Sequence, residues 1–213
     1  MTHTRCAQRR GERTHQTPTR LLQVQPFKPS PKAYLRQTAQ IPKDARYTTL
    51  SHCWGQYMPI KLEINTLQEF LDGIHIDRFP PTFQQAIMLT ESLGIEYIWI
   101  DSLCIIQDDK NDWANECSRM TSVYMNSFIN IGANAARDSR GGLFQQRSWK
   151  SVNPLFVPLT YVPTNWHREP VVLWPNSPSG NLLDHAPLGD RGWIVQERLL
   201  ASRTVHFLKH EVV

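Results

Sequence analysis

The spacing of apolar residues changes several times along the chain, and each change marks an element. Tyr47-Thr48-Thr49-Leu50-Ser51-His52-Cys53-Trp54-Gly55 is a short β-prone run ending in a glycine turn. From Thr66 the spacing becomes helical. Leu67, Phe70, Leu71 and Ile74 share one face, and Thr66 with Glu69 reads as a capping box. Pro80-Pro81-Thr82 opens a second helix in which Thr82 and Gln85 are set to cap each other. Phe83, Ala86, Ile87, Thr90 and Leu93 form its inner stripe, and Gly94 supplies the stop. Ile95 to Ile100 is then apolar on both alternating faces except at Glu96, as in a central strand covered on each side. That run halts at Asp101. Residues 82–101 therefore read as the α-to-β half of a βαβ unit, with a carboxylate where open α/β sheets place their chemistry.

Beyond it, the acidic loop Gln107–Asp112 leads into a helix with Asp112 as the expected N-cap. Trp113, Cys117, Met120 and Tyr124 recur at helical spacing and are expected to face the core, which puts Glu116 on their border, about 60° round the helix. Phe128–Ile131 is a short strand. Residues 134–190 are rich in Gly, Pro, Asn and Ser, with strand-like pieces at Leu155–Leu159 and Val171–Trp174. Arg191-Gly192-Trp193-Ile194-Val195-Gln196-Glu197-Arg198-Leu199-Leu200 reads as a tight turn into a short helix, and Thr204–Leu208 as a last strand. Ahead of all this, residues 21–46 are broken by Pro26, Pro29, Pro31 and Pro42. They read as an extended lead-in with one edge strand around Lys32–Arg36. The order of elements predicts an α/β fold, a mostly parallel sheet flanked by helices, with an irregular β-containing insertion before the last motif.

Composition adjusts this picture little. With 213 residues, 40% hydrophobic and 20% charged, the chain has the make-up of one soluble domain with a real core. The net charge of +4 suggests a nucleic-acid partner until it is located. Arg5, Arg9, Arg10, Arg13 and Arg20 against Glu12 account for it, leaving 18 basic and 18 acidic residues beyond position 20. The basicity belongs to a tail, residues 1–20, expected to be disordered, and no specific nucleic-acid partner follows. No stretch has the apolar length of a membrane span, and the tail lacks the apolar segment of a secretory signal. Cys6, Cys53, Cys104 and Cys117 are widely spaced, as free thiols in a reducing, cytoplasmic setting would be.

Several chemistries lack their signature. Neither G-x-G-x-x-G nor G-x-x-x-x-G-K-[ST] occurs. His52, Cys53, Cys104 and Cys117 carry zinc-type donors without the short pairing of a zinc site, so no metal is expected. Ser51, Cys53, Ser102 and Cys104, with His52 or His206 as base, contain the parts of a serine or thiol hydrolase but no nucleophile elbow. Carboxylates remain. Asp108, Asp109 and Asp112 read as solvated acids at a helix start. Asp101 and Glu116 stand apart, since a desolvated carboxylate serves as acid, base or cation stabiliser.

Taken together, Tyr47–Gly55, Tyr97-Ile98-Trp99-Ile100-Asp101-Ser102-Leu103-Cys104-Ile105-Ile106-Gln107-Asp108-Asp109 and Arg191–Leu200 resemble, in order, the three blocks of the heterokaryon incompatibility (HET) domain. The motif positions are Leu50, Ser51, Trp54, Gly55, Trp99, Asp101, Cys104, Gln107, Asp108, Arg191, Gly192, Trp193, Gln196, Glu197 and Arg198. Leu93-Gly94, Asp112-Trp113, Met120, Tyr124 and Gly142-Leu143-Phe144 also fall where that family places such residues. The resemblance covers about residues 20–208 and implies one HET domain over 21–213. Such domains trigger growth arrest or cell death when genetically different hyphae of filamentous fungi fuse, an activity akin to innate immunity. Self-association or another incompatibility protein is the expected partner.

The family is also distantly similar to TIR domains, flavodoxin-like signalling modules of which some cleave NAD at the nicotinamide bond. Asp112-Trp113-Ala114-Asn115-Glu116 is similar to the D-W…E arrangement of those enzymes. By that similarity Glu116 is the catalytic residue, stabilising an oxocarbenium-like ribosyl cation or orienting the ribose hydroxyls. Ser51, Trp54, Asp101 and Trp113 would line the substrate pocket, with NAD as substrate and no resident cofactor. Two features depart from the family. Ile194-Val195 stand where a Thr and an aromatic precede the Gln, and the chain stops at Glu211-Val212-Val213, earlier than family members do, which implies a truncated C-terminal end.

Overall fold

A computed structural model describes residues 17–25, 29–146, 155–157, 171–173, 186–190, 197, 199–209 and 211–213, with backbone alone at 155–157, 171–173 and 190. In chain order the strands are β1 (Arg20–Gln25), β2 (Lys32–Gln37), β3 (Tyr47–Ser51), β4 (Ile74–His75), β5 (Tyr97–Ile100), β6 (Ile129–Gly132), β7 (Leu155–Val157), β8 (Val171–Leu173) and β9 (Thr204–His206). The helices are α1 (Leu67–Asp72), α2 (Pro81–Ser92), the single turn α3 (Asp101–Cys104) and α4 (Lys110–Asn126).

Seven strands make one sheet in the order β4-β2-β1-β5-β3-β6-β9, and β7 and β8 pair as a separate antiparallel ribbon. From β5 to β9 every pairing is parallel; from β5 to β4 every pairing is antiparallel. The fold is therefore α/β, with a parallel core as expected and an antiparallel flank. Every residue of β3 and β5 is buried, which the continuous apolar run of β5 foretells. Successive side chains of a strand point to opposite faces. Thr48 meets Thr90 of α2 through hydroxyls 2.7 Å apart, while the Tyr47 hydroxyl donates to Val123 O of α4 at 2.7 Å. The two helices thus cover opposite faces, and the Trp99 ring packs edge-on against Tyr124 on the α4 side.

Several local expectations change. The lead-in includes a full strand, β1, inserted between β2 and β5, so Lys32–Gln37 is not an edge strand; two-residue β4 closes that side. Thr66 does not cap α1, because its hydroxyl accepts from Glu63 N–H at 2.9 Å. Ile74 leaves the helix for β4. Thr82 and Gln85 do not cap each other either. Thr82 Oγ1 accepts from Gly142 N–H, and Gln85 Oε1 accepts from Leu143 and Phe144 N–H, so both clamp the 142–144 loop. Pro81 at the first helical position explains why α2 manages without a side-chain cap. Leu93 is exposed, whereas the rest of the expected α2 stripe is buried.

On α4 the N-cap is Asp109, whose carboxylate accepts from Asn111 and Asp112 N–H, and Asp112 is freed for other work. The buried face is rotated from the one expected. Glu116, Val123 and Tyr124 are buried, Cys117 and Met120 are half-buried, and Trp113, in the first turn, is 48% exposed.

Candidate functional site

Parallel strands deliver their next residues to a common edge, and here that edge gathers the ends of β3, β5, β6 and β9. Asp101 stands at its centre, 8% exposed. Its Oδ2 accepts from Trp54 Nε1 at 3.0 Å, and its Oδ1 from Ser102 N–H at 2.7 Å. His52 Nδ1 lies 3.8 Å from the same Oδ1, beyond hydrogen-bond reach, and its ring packs edge-on against Phe83. Trp54 reaches Asp101 because Gly55 turns the chain with φ +57, where an added Cβ would lie 2.7 Å from Asp138 Cβ.

One strand further, Ser51 and Thr49 both donate to Asn130 Oδ1, at 3.1 and 3.0 Å. Asn134 Oδ1 and His206 Nδ1 are 3.0 Å apart above Gly132. A Cβ at residue 132 would lie 2.6 Å from that Asn134 oxygen, so glycine is what lets the pair approach the sheet. The buried Asn130 and Asn134 amide nitrogens and the Ser102 hydroxyl have no hydrogen-bond partner among the described residues. The motif residues Gln107 and Asp108 brace this edge. Gln107 Nε2 donates to Asp101 O and Ile105 O, and Asp108 Oδ1 accepts from Ile64 N–H. Leu50, Trp99 and Cys104 are core residues, 0–1% exposed.

Glu116 occupies a second location. It is 0% exposed, on the inner face of α4, and both carboxylate oxygens are taken by Thr19, one by its N–H and one by its hydroxyl. Beside it Arg20 pairs with Asp112 and donates from Nε to Cys104 O at 2.8 Å; Asp112 also accepts from Ile106 N–H at 2.8 Å. The two locations meet electrostatically at Cys117, whose thiol is pushed up first by burial, then by the negative charges of Asp101 and Glu116. Cys104 is pushed up further, to about 12, chiefly by burial, which leaves its thiol protonated at neutral pH and a poor nucleophile. Ser51 gives its proton to Asn130, not to His52, so the structure forms no Ser51–His52 couple.

The structure thus brings together Ser51, Trp54 and Asp101, holds Glu116 apart from them against Thr19, and leaves Trp113 facing outward. Glu197, the motif position of the third block that is among the described residues, is 1% exposed. Arg191, Gly192, Trp193, Gln196 and Arg198 lie outside the described residues, as does most of the basic tail. Thr19, Arg20, Asn130 and Asn134 were not singled out in the sequence. Asn130 had a signal, a polar residue at an inward position of an otherwise apolar strand. Among the described residues no three His, Cys, Asp or Glu side chains gather to hold a metal, and no helix is long and apolar enough to cross a membrane.

Sheet, helices and edge define a mixed α/β domain with a buried carboxylate, Asp101, at the carboxyl end of a parallel strand. Residues 47–197 match the family model described as heterokaryon incompatibility protein (HET), and the chain belongs to that family. No curated protein and no solved structure matches it.

Proposed function

We propose that this chain is a non-self recognition domain of filamentous fungi whose engagement triggers programmed cell death. Its role in heterokaryon incompatibility follows from the family. The supporting observation is that the first two motif blocks converge on one carboxylate: Trp54 from the first and Ser102 from the second both donate to Asp101. A buried carboxylate held in this way is a fixed, pre-organised group at a sheet edge where ligands and partners dock. The domain acts in the cytoplasm, through self-association or contact with another incompatibility protein.

Inducible expression in a filamentous fungus tests this. The chain should arrest growth and reduce viability, and an Asp101→Asn variant at equal abundance should not. Normal growth under full expression of the unaltered chain would overturn the reading.

A second reading, NAD cleavage with Glu116 as the catalytic carboxylate, draws support from the shared influence of Asp101 and Glu116 on Cys117. Glu116 would stabilise positive charge on the ribose as nicotinamide leaves, with Asp101, Ser51, Trp54 and Trp113 around the substrate. For that chemistry Thr19 has to leave the carboxylate it occupies. Release of nicotinamide and ADP-ribose by the purified chain, lost in a folded Glu116→Gln variant, is the expected result. No turnover after forced oligomerisation excludes it.

A further inference from the structure

Residues 38–45 cross from the end of β2 to the start of β3 over the sheet face that carries α4. They leave a cavity of about 790 Å³ against the helix. That size falls within the roughly 300–1,000 Å³ of small-molecule sites. Leu21, Ile41 and Tyr47 contribute apolar surface, and Thr17, Thr19 and Thr38 line it from the other side. Among the described lining residues two are cations, Lys43 and Arg119, and none is a carboxylate. Glu116, one helical turn before Arg119, has both oxygens committed to Thr19 and none exposed. Among the described residues, neither Lys43 nor Arg119 has a salt-bridge partner. The Gln37 side chain adds an uncharged donor.

We propose that this cavity binds a small phosphate monoester, its dianion met by Lys43 and Arg119 and its flat apolar body resting on Leu21, Ile41 and Tyr47. Two cations with no acid among the described lining residues match a dianion better than the single charge of a carboxylate, and a guanidinium offers the paired donors that phosphate oxygens accept. The apolar surface gives the organic part a place that inorganic phosphate would leave empty. Asp101 does not line this cavity, whereas Thr19, which holds Glu116, does.

Calorimetric titration of the purified chain with adenosine monophosphate and with phenyl phosphate tests the proposal, with adenosine and inorganic phosphate as the two halves of the ligand. The expected result is saturable one-to-one binding of a monophosphate, weakened at least about tenfold when either half is used alone. Arg119→Gln and Lys43→Gln should each cost a similar factor, and Ala39→Trp, at an exposed position on the wall, should fill the site. Melting of the unliganded variants checks that each is folded. Overhauser contacts from bound ligand to the Tyr47 ring, read on the unaltered chain, make the test independent of any substitution. No saturable binding of either monophosphate up to about 10 mM overturns the proposal. So does binding unchanged in folded Arg119→Gln and Lys43→Gln, inorganic phosphate binding as tightly as the ester, or an absence of contacts to Tyr47.

Discussion

Asp101 and Glu116 are both carboxylates sunk into the α4 side of the same domain, yet they are held by different parts of the chain. Asp101 is bonded by Trp54 and Ser102, each within the residues that match the family. Among the described residues Glu116 is bonded by Thr19, and its neighbour Asp112 by Arg20 and Ile106 N–H; Thr19 and Arg20 precede the matched residues. One environment is closed by the family's own motifs; the other is completed by a lead-in strand. Burial alone would rank Glu116 first. The origin of the partners ranks Asp101 first, because its surroundings come with the family fold.

Four experiments press on this contrast. Arg20→Leu should have the largest effect on stability, about 3 kcal/mol in chemical denaturation, because it leaves Asp112 with the Ile106 N–H but no cation and removes the Arg20 donor from Cys104 O. An effect that small substitutions elsewhere in β1 reproduce would show that strand pairing, not the ion pair, fastens the lead-in. Asp101→Ala comes next, at about 2 kcal/mol, since the buried Ser102 N–H is orphaned while the half-exposed Trp54 indole can turn to water. A double cycle with Trp54→Phe should give a coupling of about 1 kcal/mol, and strict additivity would deny that the two side chains act as a unit. Glu116→Gln keeps an acceptor for Thr19 and should cost about 1 kcal/mol or less.

The finest probe is Cys117. Removing either charge should lower its raised pKa and speed alkylation at neutral pH, Asp101→Asn more than Glu116→Gln, read by mass spectrometry of the labelled peptide. The reverse order would make Glu116 the nearer influence. Cys104 supplies an internal reference. Its folded pKa of about 12 lies above the ordinary 9.0, so folding is unaffected below pH 9 and loses stability between there and about 12, where only the unfolded thiol ionises. Cys104→Ala should flatten that alkaline decline in folded chains.

Much of the parallel core was legible, because β3 is a β-prone run, β5 is a continuous apolar one, and α2 has both a proline start and a glycine end. Asp101 was legible for the same reason: it interrupts such a run. β1 was not, since its apolar residues Leu21, Leu22 and Val24 sit among prolines, and its pairing with β2 and β5 is what makes it a strand. The α4 face was misjudged because Trp113 outweighs Glu116 on any apolar scale. At a helix's first turn position along the axis decides exposure, and a buried acid is disclosed only by its donor, here a threonine nearly a hundred residues away. Thr66, Thr82 and Gln85 obey capping statistics in sequence, but tertiary loops claim their oxygens instead.

The order of the strands also bears on how this protein is born. Each parallel pairing joins distant stretches, Thr49 with Trp99, Thr49 with Asn130, and Asn130 with Thr204. A ribosome that has released the chain only as far as β6 has made Asp101 and its donors, but not the strand that covers β6. Non-local pairing is slow, and the bare edge meanwhile is open to wrong partners. The carboxyl-end edge of the parallel strands is therefore completed last, when β9 pairs with β6.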